Sequence, residues 1–238
     1  MLTLFFSDQI STGQRQVLEN EEAHHAIKVL RLNTGEIIKV SDGVGNWVSG
    51  PIVEIAKKEL FVSITERGEI QAVKPELVLV QAITKSDRNK EMLELAVEAG
   101  VNRIIPWQSE RSISKWQSDS EQKWQVGIKQ SCKQARQVKL PQLMQVMSTS
   151  EVIKSIGEGG FGIVFHEEAS TKFSDLTIPN SQSSVYLVIG PEGGISEQEL
   201  LSFQNNGSKV VRLGDTVLRS AHAGFAALSA VQTKLGRW

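Results

Sequence analysis

The sequence predicts an α/β protein in two parts, a small β-rich N-terminal domain over residues 1–72 and an α/β domain with a parallel sheet over 73–238. Three observations predict it. Short strands separated by turn signals fill the first third of the chain, strands alternate with helices after it, and one strand runs into a glycine turn that opens a helix.

In the first part, Glu36–Ser41 runs into Asp42-Gly43, a tight-turn dipeptide, and is followed by Trp47-Val48, Ile52–Ile55 and Glu59–Ile64. Such spacing predicts a small barrel or sandwich. A helix-like segment from Glu21 to Leu30 interrupts the strands and gathers His24, His25, Lys28 and Arg31. Two adjacent histidines there are more in keeping with packing or surface than with catalysis. Residues 66–75, mostly polar, read as the linker.

Beyond it, Leu77–Ile83 is a buried strand, and Asp87 is placed to cap a helix that carries Met92, Leu95, Ala96 and Ala99 on one face, with Gly100 as its C-terminal stop. Val101–Ile105 is the next strand. A helix over Gln122–Val138 places Trp124, Ile128, Cys132 and Ala135 on one stripe, where Cys132 reads as a small core residue. Gly162–Phe165, Val185–Ile189 and Lys209–Leu213 supply further strands, and Ala221–Lys234 a terminal helix.

Composition limits what the chain can be. The 238 residues suffice for a sizeable core, and a net charge of −1 gives no global attraction to nucleic acid. Any RNA partner must be met by a local patch. The stretch 101–140 offers one: Arg103, Arg111, Lys115, Lys123, Lys129, Lys133, Arg136 and Lys139 stand there with Trp107, Trp116 and Trp124. Basic side chains with aromatics suit phosphates and unpaired bases, but a solvated helix face over core tryptophans is the simpler reading. One cysteine fits a reducing cytoplasm, and the four histidines give no metal-ligand spacing. No apolar run approaches the ~20 residues of a membrane span. The first residues lack a basic region and a cleavage site, so no secretory leader is expected.

Val185–Ile189 followed by Gly190-Pro191-Glu192-Gly193-Gly194-Ile195-Ser196 is the most informative stretch. Five apolar residues predict a strand buried on both faces. Glycines then let a ligand lie against bare backbone, and Ser196 with Glu199 forms a capping box that starts a helix. This is either a ligand site at the carboxyl end of a sheet or a plain strand-to-helix connection. A second turn, Arg212–Arg219, leads into a helix of small residues. The two turns would face each other if strands 185–189 and 209–213 were neighbours.

These residues resemble the RsmE-type bacterial 16S ribosomal RNA (uracil-N3)-methyltransferases of the SPOUT superfamily. The resemblance spans nearly the whole chain: His24-His25 with Val29–Leu32 and Gly35, Lys85…Arg88 leading to Glu98–Val101, Ser109–Ser112, Trp124-Gln125 with Gln134 and Arg136, Ile189–Gly194, and Leu213-Gly214…Val217–Arg219. The last motif departs from the family's Leu-Arg-Thr-Glu-Thr-Ala and reads Leu218-Arg219-Ser220-Ala221-His222-Ala223. No carboxylate role is assigned there, and whether His222 takes over a polar task stays open.

The resemblance implies a PUA-like RNA-binding barrel, a SPOUT domain with a deep trefoil knot, a cytoplasmic homodimer, and 16S rRNA within the small subunit as substrate. It implies S-adenosylmethionine, with no metal, in a pocket formed by Ile189, Gly190, Glu192, Gly193, Gly194, Leu213, Gly214 and Leu218. Lys28, Arg31, Lys85, Arg88 and Arg111 are the expected RNA contacts, and Glu192 either balances the sulfonium charge or is a solvated turn acid. Arg219 either stabilises charge on the uracil or fixes its own loop. A ribose 2′-O-methyltransferase and an RNA-binding assembly factor without activity are the competing functions.

Overall fold

A computed structural model describes residues 2–179 and 181–238, with the side chains of Ser86 and Asp87 outside the description. Contacts divide the chain into two compact units, Met1–Ala72 with Lys129–Leu140, and Val73–Ile128 with Pro141–Trp238.

The first unit holds β1 (Thr3–Phe6), β2 (Arg15–Glu19), β3 (Ile37–Ser41), β4 (Asn46–Ile55), β5 (Glu59–Ser63) and β6 (Glu66–Glu69). They form one sheet in the order β1-β3-β4-β5-β2, with β6 also on β4. The two strands expected at 47–48 and 52–55 are the single strand β4. It pairs with β3 over Trp47–Pro51 and with β5 over Ile52–Ile55, the latter pairing being irregular between Ile52 and Glu54. The expected linker is partly strand as well: β6 pairs with Asn46–Ser49 of β4. Its Glu-Arg-Gly-Glu sequence is polar because an outer strand faces water. At Asp42-Gly43, Gly43 sits at φ +77°. The Asp42 carboxylate there accepts from the amides of Val44, Gly45 and Asn46. The helix-like segment is α1 (Asn20–His24), continued by a π-helical turn over His25–Val29. Phe5, Leu18, Ile38, Val40, Val48, Ile52, Leu60 and Val62 make the core, with Ala26 from the π-turn.

Residues 129–140, which the sequence places in the second domain, pack with this unit. The Glu22 carboxylate takes Lys133 Nζ at 2.6 Å and Lys129 Nζ at 3.1 Å. Ser41 Oγ donates to the Val138 carbonyl, and the Leu140 amide to Gly43 O. Burial raises the Glu22 carboxyl, but hydrogen bonds and charge from Lys133 and then Lys129 outweigh it and hold it below the usual carboxylate range.

The second unit runs β7 (Glu76–Ala82), α2 (Ser86–Glu98), β8 (Arg103–Trp107), the start of α3 (Ser120–Ala135), β9 (Gln142–Leu143), α4 (Thr149–Gly157), β10 (Gly160–Phe165), β11 (Ser184–Ile189), α5 (Glu197–Asn205), β12 (Lys209–Val211) and α6 (Ser220–Lys234). Its sheet has the order β12-β10-β11-β7-β8-β9. Every pairing in it is parallel. Consecutive parallel strands need helical crossovers, which explains the alternation seen in the sequence. α2 starts at Ser86 with Lys85 at its N-cap, so Asp87 lies inside the first turn rather than before it. Gly100, at φ +75°, follows the helix end as expected. Trp107, Trp124 and Cys132 are buried. Trp116, half-buried, packs edge-on against Trp124 with ring centroids 5.1 Å apart, so Trp107 and Trp124 are core residues and Trp116 rests on one of them. Burial pushes the Cys132 thiol up to about 12, which leaves it inert. Among the described residues no helix is long and apolar enough to cross a membrane.

Candidate functional site

All six residues of β11 are buried, so its direction is set by the centre of the sheet. At its carboxyl end the chain turns sharply. A Cβ on Gly190 would lie 2.7 Å from Ile195 Cγ1, so only glycine lets the turn fold back so closely. Gly194 has φ +72° and donates its amide to the Pro191 carbonyl. The capping box forms as the sequence predicts: Glu199 N donates to Ser196 Oγ, and Ser196 N to Glu199 Oε2. The Glu199 carboxylate also accepts from Glu110 N and Thr149 Oγ1, which ties the 109–112 segment to the start of α5.

Strands 185–189 and 209–213 are not neighbours. β10 lies between them, pairing with β11 on one side and β12 on the other. The two turns meet all the same: residues of both line one cleft together with Phe165, His166 and Glu167 at the end of β10. Ser220, the first residue of α6, donates its hydroxyl to the Gly190 carbonyl at 2.7 Å.

The result is a cleft of about 290 Å³ at the carboxyl edge of the sheet. Ile189, Gly190, Glu192 and Gly194 line it from the first turn, Leu218, Arg219 and Ser220 from the second. Leu213 and Gly214 line a smaller hollow that shares Val217 and Leu218 with the cleft. Gly193 lines neither; its carbonyl accepts from Arg111 Nη1 at 3.3 Å. Sequence reasoning missed the third wall, Phe165, His166 and Glu167, which borders both spaces. No glycine or cap marks that segment. The signal available was its place at a strand's carboxyl end, where parallel sheets bind ligands.

The expected RNA-binding residues fall into three kinds. Lys28 and Arg31 are exposed in the first unit, and Arg31 has φ +55°. Lys85 is exposed at the start of α2. Arg88 lines the cleft and pairs with Glu192 at 3.3 Å, whereas Arg111 lies outside its lining and donates to the Gly193 carbonyl. Glu192 therefore has a cation of its own. Arg219 is exposed, in extended backbone at the N-cap of α6, and has no ion pair or hydrogen bond from its side chain among the described residues. His222 does not line the cleft; its Nε2 lies 3.2 Å from Glu91 Oε1 of α2. Ala221 is buried. Among the described residues no group of His, Cys, Asp and Glu is placed to hold a metal ion.

Chemically, the cleft offers backbone amides and carbonyls without Cβ atoms in the way, apolar faces from Phe165, Ile189 and Leu218, and one unpaired guanidinium. That set suits a flat, polar-edged small molecule beside a site where negative charge develops.

Comparison with known proteins agrees with this arrangement. The RNA methyltransferase domain family matches residues 72–232, and the RNA methyltransferase PUA domain family matches residues 18–65. Ribosomal RNA small subunit methyltransferase E of Mycobacterium bovis is 33% identical over 99% of this chain and 93% of its own length. The Bacillus subtilis protein of that name is 26% identical over 96% and 94%. The crystal structure of a ribosomal RNA small subunit methyltransferase E from Neisseria gonorrhoeae, bound to S-adenosyl methionine, superposes with a TM-score of 0.88 at 26% identity and covers 98% of each chain. The chain belongs to the ribosomal RNA small subunit methyltransferase E family.

Proposed function

We propose that this protein transfers a methyl group from S-adenosylmethionine to N3 of a uridine in 16S rRNA of the small ribosomal subunit. The observation that carries the reading is the meeting of a glycine-rich turn and the chain entering α6 in one cleft, with the free guanidinium of Arg219 at its edge. A family relative carries S-adenosyl methionine in a chain of closely similar fold.

The cleft fits the methyl donor by its donor set. Backbone groups of Gly190, Glu192 and Gly194 and of Leu213–Leu218 would hold the polar edges of the nucleoside, and Phe165, Ile189 and Leu218 would supply its apolar contacts. When bound, S-adenosylmethionine supplies the methyl group from a cationic sulfonium, whose sulfur keeps the electron pair of the broken carbon–sulfur bond.

Uridine N3 bears a proton at neutral pH; that proton passes to bulk water, and the electron pair it leaves on nitrogen forms the new bond to the methyl carbon. The ring's negative charge spreads onto its two carbonyl oxygens. Arg219 donates to one of them and stabilises that charge as it develops. The turns hold the reacting atoms in line; positioning of this kind lowers a barrier by roughly 7–11 kcal/mol in favourable cases. Because N3 lies on the pairing edge, the uridine enters unpaired.

Lys28 and Arg31 bind RNA phosphates in a PUA-like barrel formed by the first unit, and Lys85 is a phosphate contact of the second unit. Arg88 holds Glu192 in the cleft wall, and Arg111 steadies the same turn at Gly193. The second unit is a SPOUT domain with a trefoil knot, and the protein acts as a cytoplasmic homodimer.

The test is transfer from labelled S-adenosylmethionine to small subunits that lack the modification, followed by nucleoside mass spectrometry. N3-methyluridine is expected. A methylated ribose, or no transfer by folded protein that still binds the subunit, overturns the proposal.

A further inference from the structure

The walls of the cleft come from distant parts of the chain, and one buried amide joins them. Gln81, the second-last residue of β7, is 1% exposed. Its Nε2 donates to Ser220 Oγ at 2.8 Å and, more weakly, to the Ala82 carbonyl at 3.3 Å. The carbonyl partner settles which end of the amide is nitrogen. Since the Ser220 oxygen accepts from Gln81, its single proton is left for the Gly190 carbonyl at 2.7 Å. A directed chain thus runs from the middle of the sheet through the first residue of α6 to the first residue of the glycine turn. Ser220 is bonded directly to Arg219.

The other end of the same side chain has no such use. Gln81 Oε1 is buried and has no hydrogen-bond partner among the described residues. It faces α6, where a Cβ on Gly224 would come within 3.3 Å of it. Its strand neighbours Val80 and Ala82 are apolar and fully buried. A buried oxygen left unpaired works against folding, and an apolar side chain of equal size would avoid that cost. Gln81 is therefore badly explained by stability and well explained by what its nitrogen does.

We propose that Gln81 is a positioning residue of the methyl-donor site. It orients the Ser220 hydroxyl, which fixes the Gly190 carbonyl in the cleft wall and the chain entering from Arg219. This rests on the reading of the cleft given above.

The test compares full-length wild type, Gln81→Met, Ser220→Ala and the double variant, measuring S-adenosylmethionine affinity by calorimetry and stability by denaturant. Methionine keeps the size and removes both the donor nitrogen and the orphan oxygen. Gln81→Met is expected to bind about tenfold more weakly, the worth of one directed hydrogen bond, while its unfolding midpoint holds or rises. Ser220→Ala should lose affinity similarly, and the double variant should lose little more, since both break one chain. Unchanged affinity in Gln81→Met, affinity lost only in step with stability, or additive losses in the double variant would overturn the inference. Failure of wild type to bind S-adenosylmethionine would instead remove the reading of the cleft beneath it.

Discussion

The two turns that face each other across the cleft are held by very different means. The turn after β11 is anchored along its length. Ser220 takes the Gly190 carbonyl, Arg88 the Glu192 carboxylate, Arg111 the Gly193 carbonyl, and Glu199 the amide of Ser196. The turn after β12 has an ion pair between Arg212 and Asp215 at its start, and its side chains stand out, Val217 at 77% and Leu218 at 40% exposed. Among the described residues the backbone of 213–218 makes no hydrogen bond. One wall is built in advance; the other is free to settle on what binds. Segments with few buried contacts open most easily, and ligands order them.

The largest effect expected of a single change is at the junction of the open turn with α6. Arg219→Ala should lower turnover by about 10² to 10³, the usual loss when one donor to a developing charge is removed. Cofactor affinity should stay near wild type, because the guanidinium holds nothing in the unliganded turn. Weakened cofactor binding with preserved turnover would mean that Arg219 fixes the loop. Hydrogen exchange then tests the comparison itself. Saturating S-adenosylmethionine should slow exchange at 213–218 by at least about tenfold, and by more than at Gly194, whose amide already donates to the Pro191 carbonyl. Equal slowing at Gly194 would show that the first turn is no more preformed than the second.

Alanine at one glycine of each turn breaks the comparison in another way. Gly190→Ala drives a Cβ into the buried Ile195 and should cost about 1–3 kcal/mol in denaturant unfolding. At Gly214 a Cβ meets nothing within 4 Å, and alanine there should change stability by less than about 0.5 kcal/mol. Comparable losses at the two glycines would mean that the second turn is as tightly packed as the first.

The anchored turn was also the more legible in the sequence, for the same reason: its parts are local. A buried strand, glycines and a capping box lie within fifteen residues and each carries its own chemical signature. What completes the cleft is not local. The Arg88–Glu192 pair spans 104 residues and the Gln81–Ser220 bond 139, and no pattern in one segment announces either. The position of β10 between β11 and β12 is likewise a matter of strand order, so the condition under which the two turns were expected to face each other fails although both line one cleft. β1 was missed because it pairs in parallel with β3, more than thirty residues away, and β6 because its polar sequence imitates a linker. α4 is a different case. Ser148 and Glu151 have the same spacing as Ser196 and Glu199, and the Glu151 carboxylate accepts from the Ser148 amide, so the start of this helix is legible in the sequence.

The smallest expected effect concerns the ion pair at the start of the open turn. Arg212 and Asp215 lie 2.9 Å apart, close enough to read as a clamp on residues 213–218. Yet the Asp215 side chain is 83% exposed, and water and salt screen so open a charge. Pairs of this kind contribute between nothing and about 1 kcal/mol, so Asp215→Ala should alter stability by less than about 0.5 kcal/mol. It should also leave cofactor affinity within about twofold of wild type. If instead the variant lost more than about 1 kcal/mol, or exchange at 213–218 in the free protein rose with it, the pair would be pinning the turn. The open wall would then be as preformed as the closed one, held by charge where the other is held by hydrogen bonds.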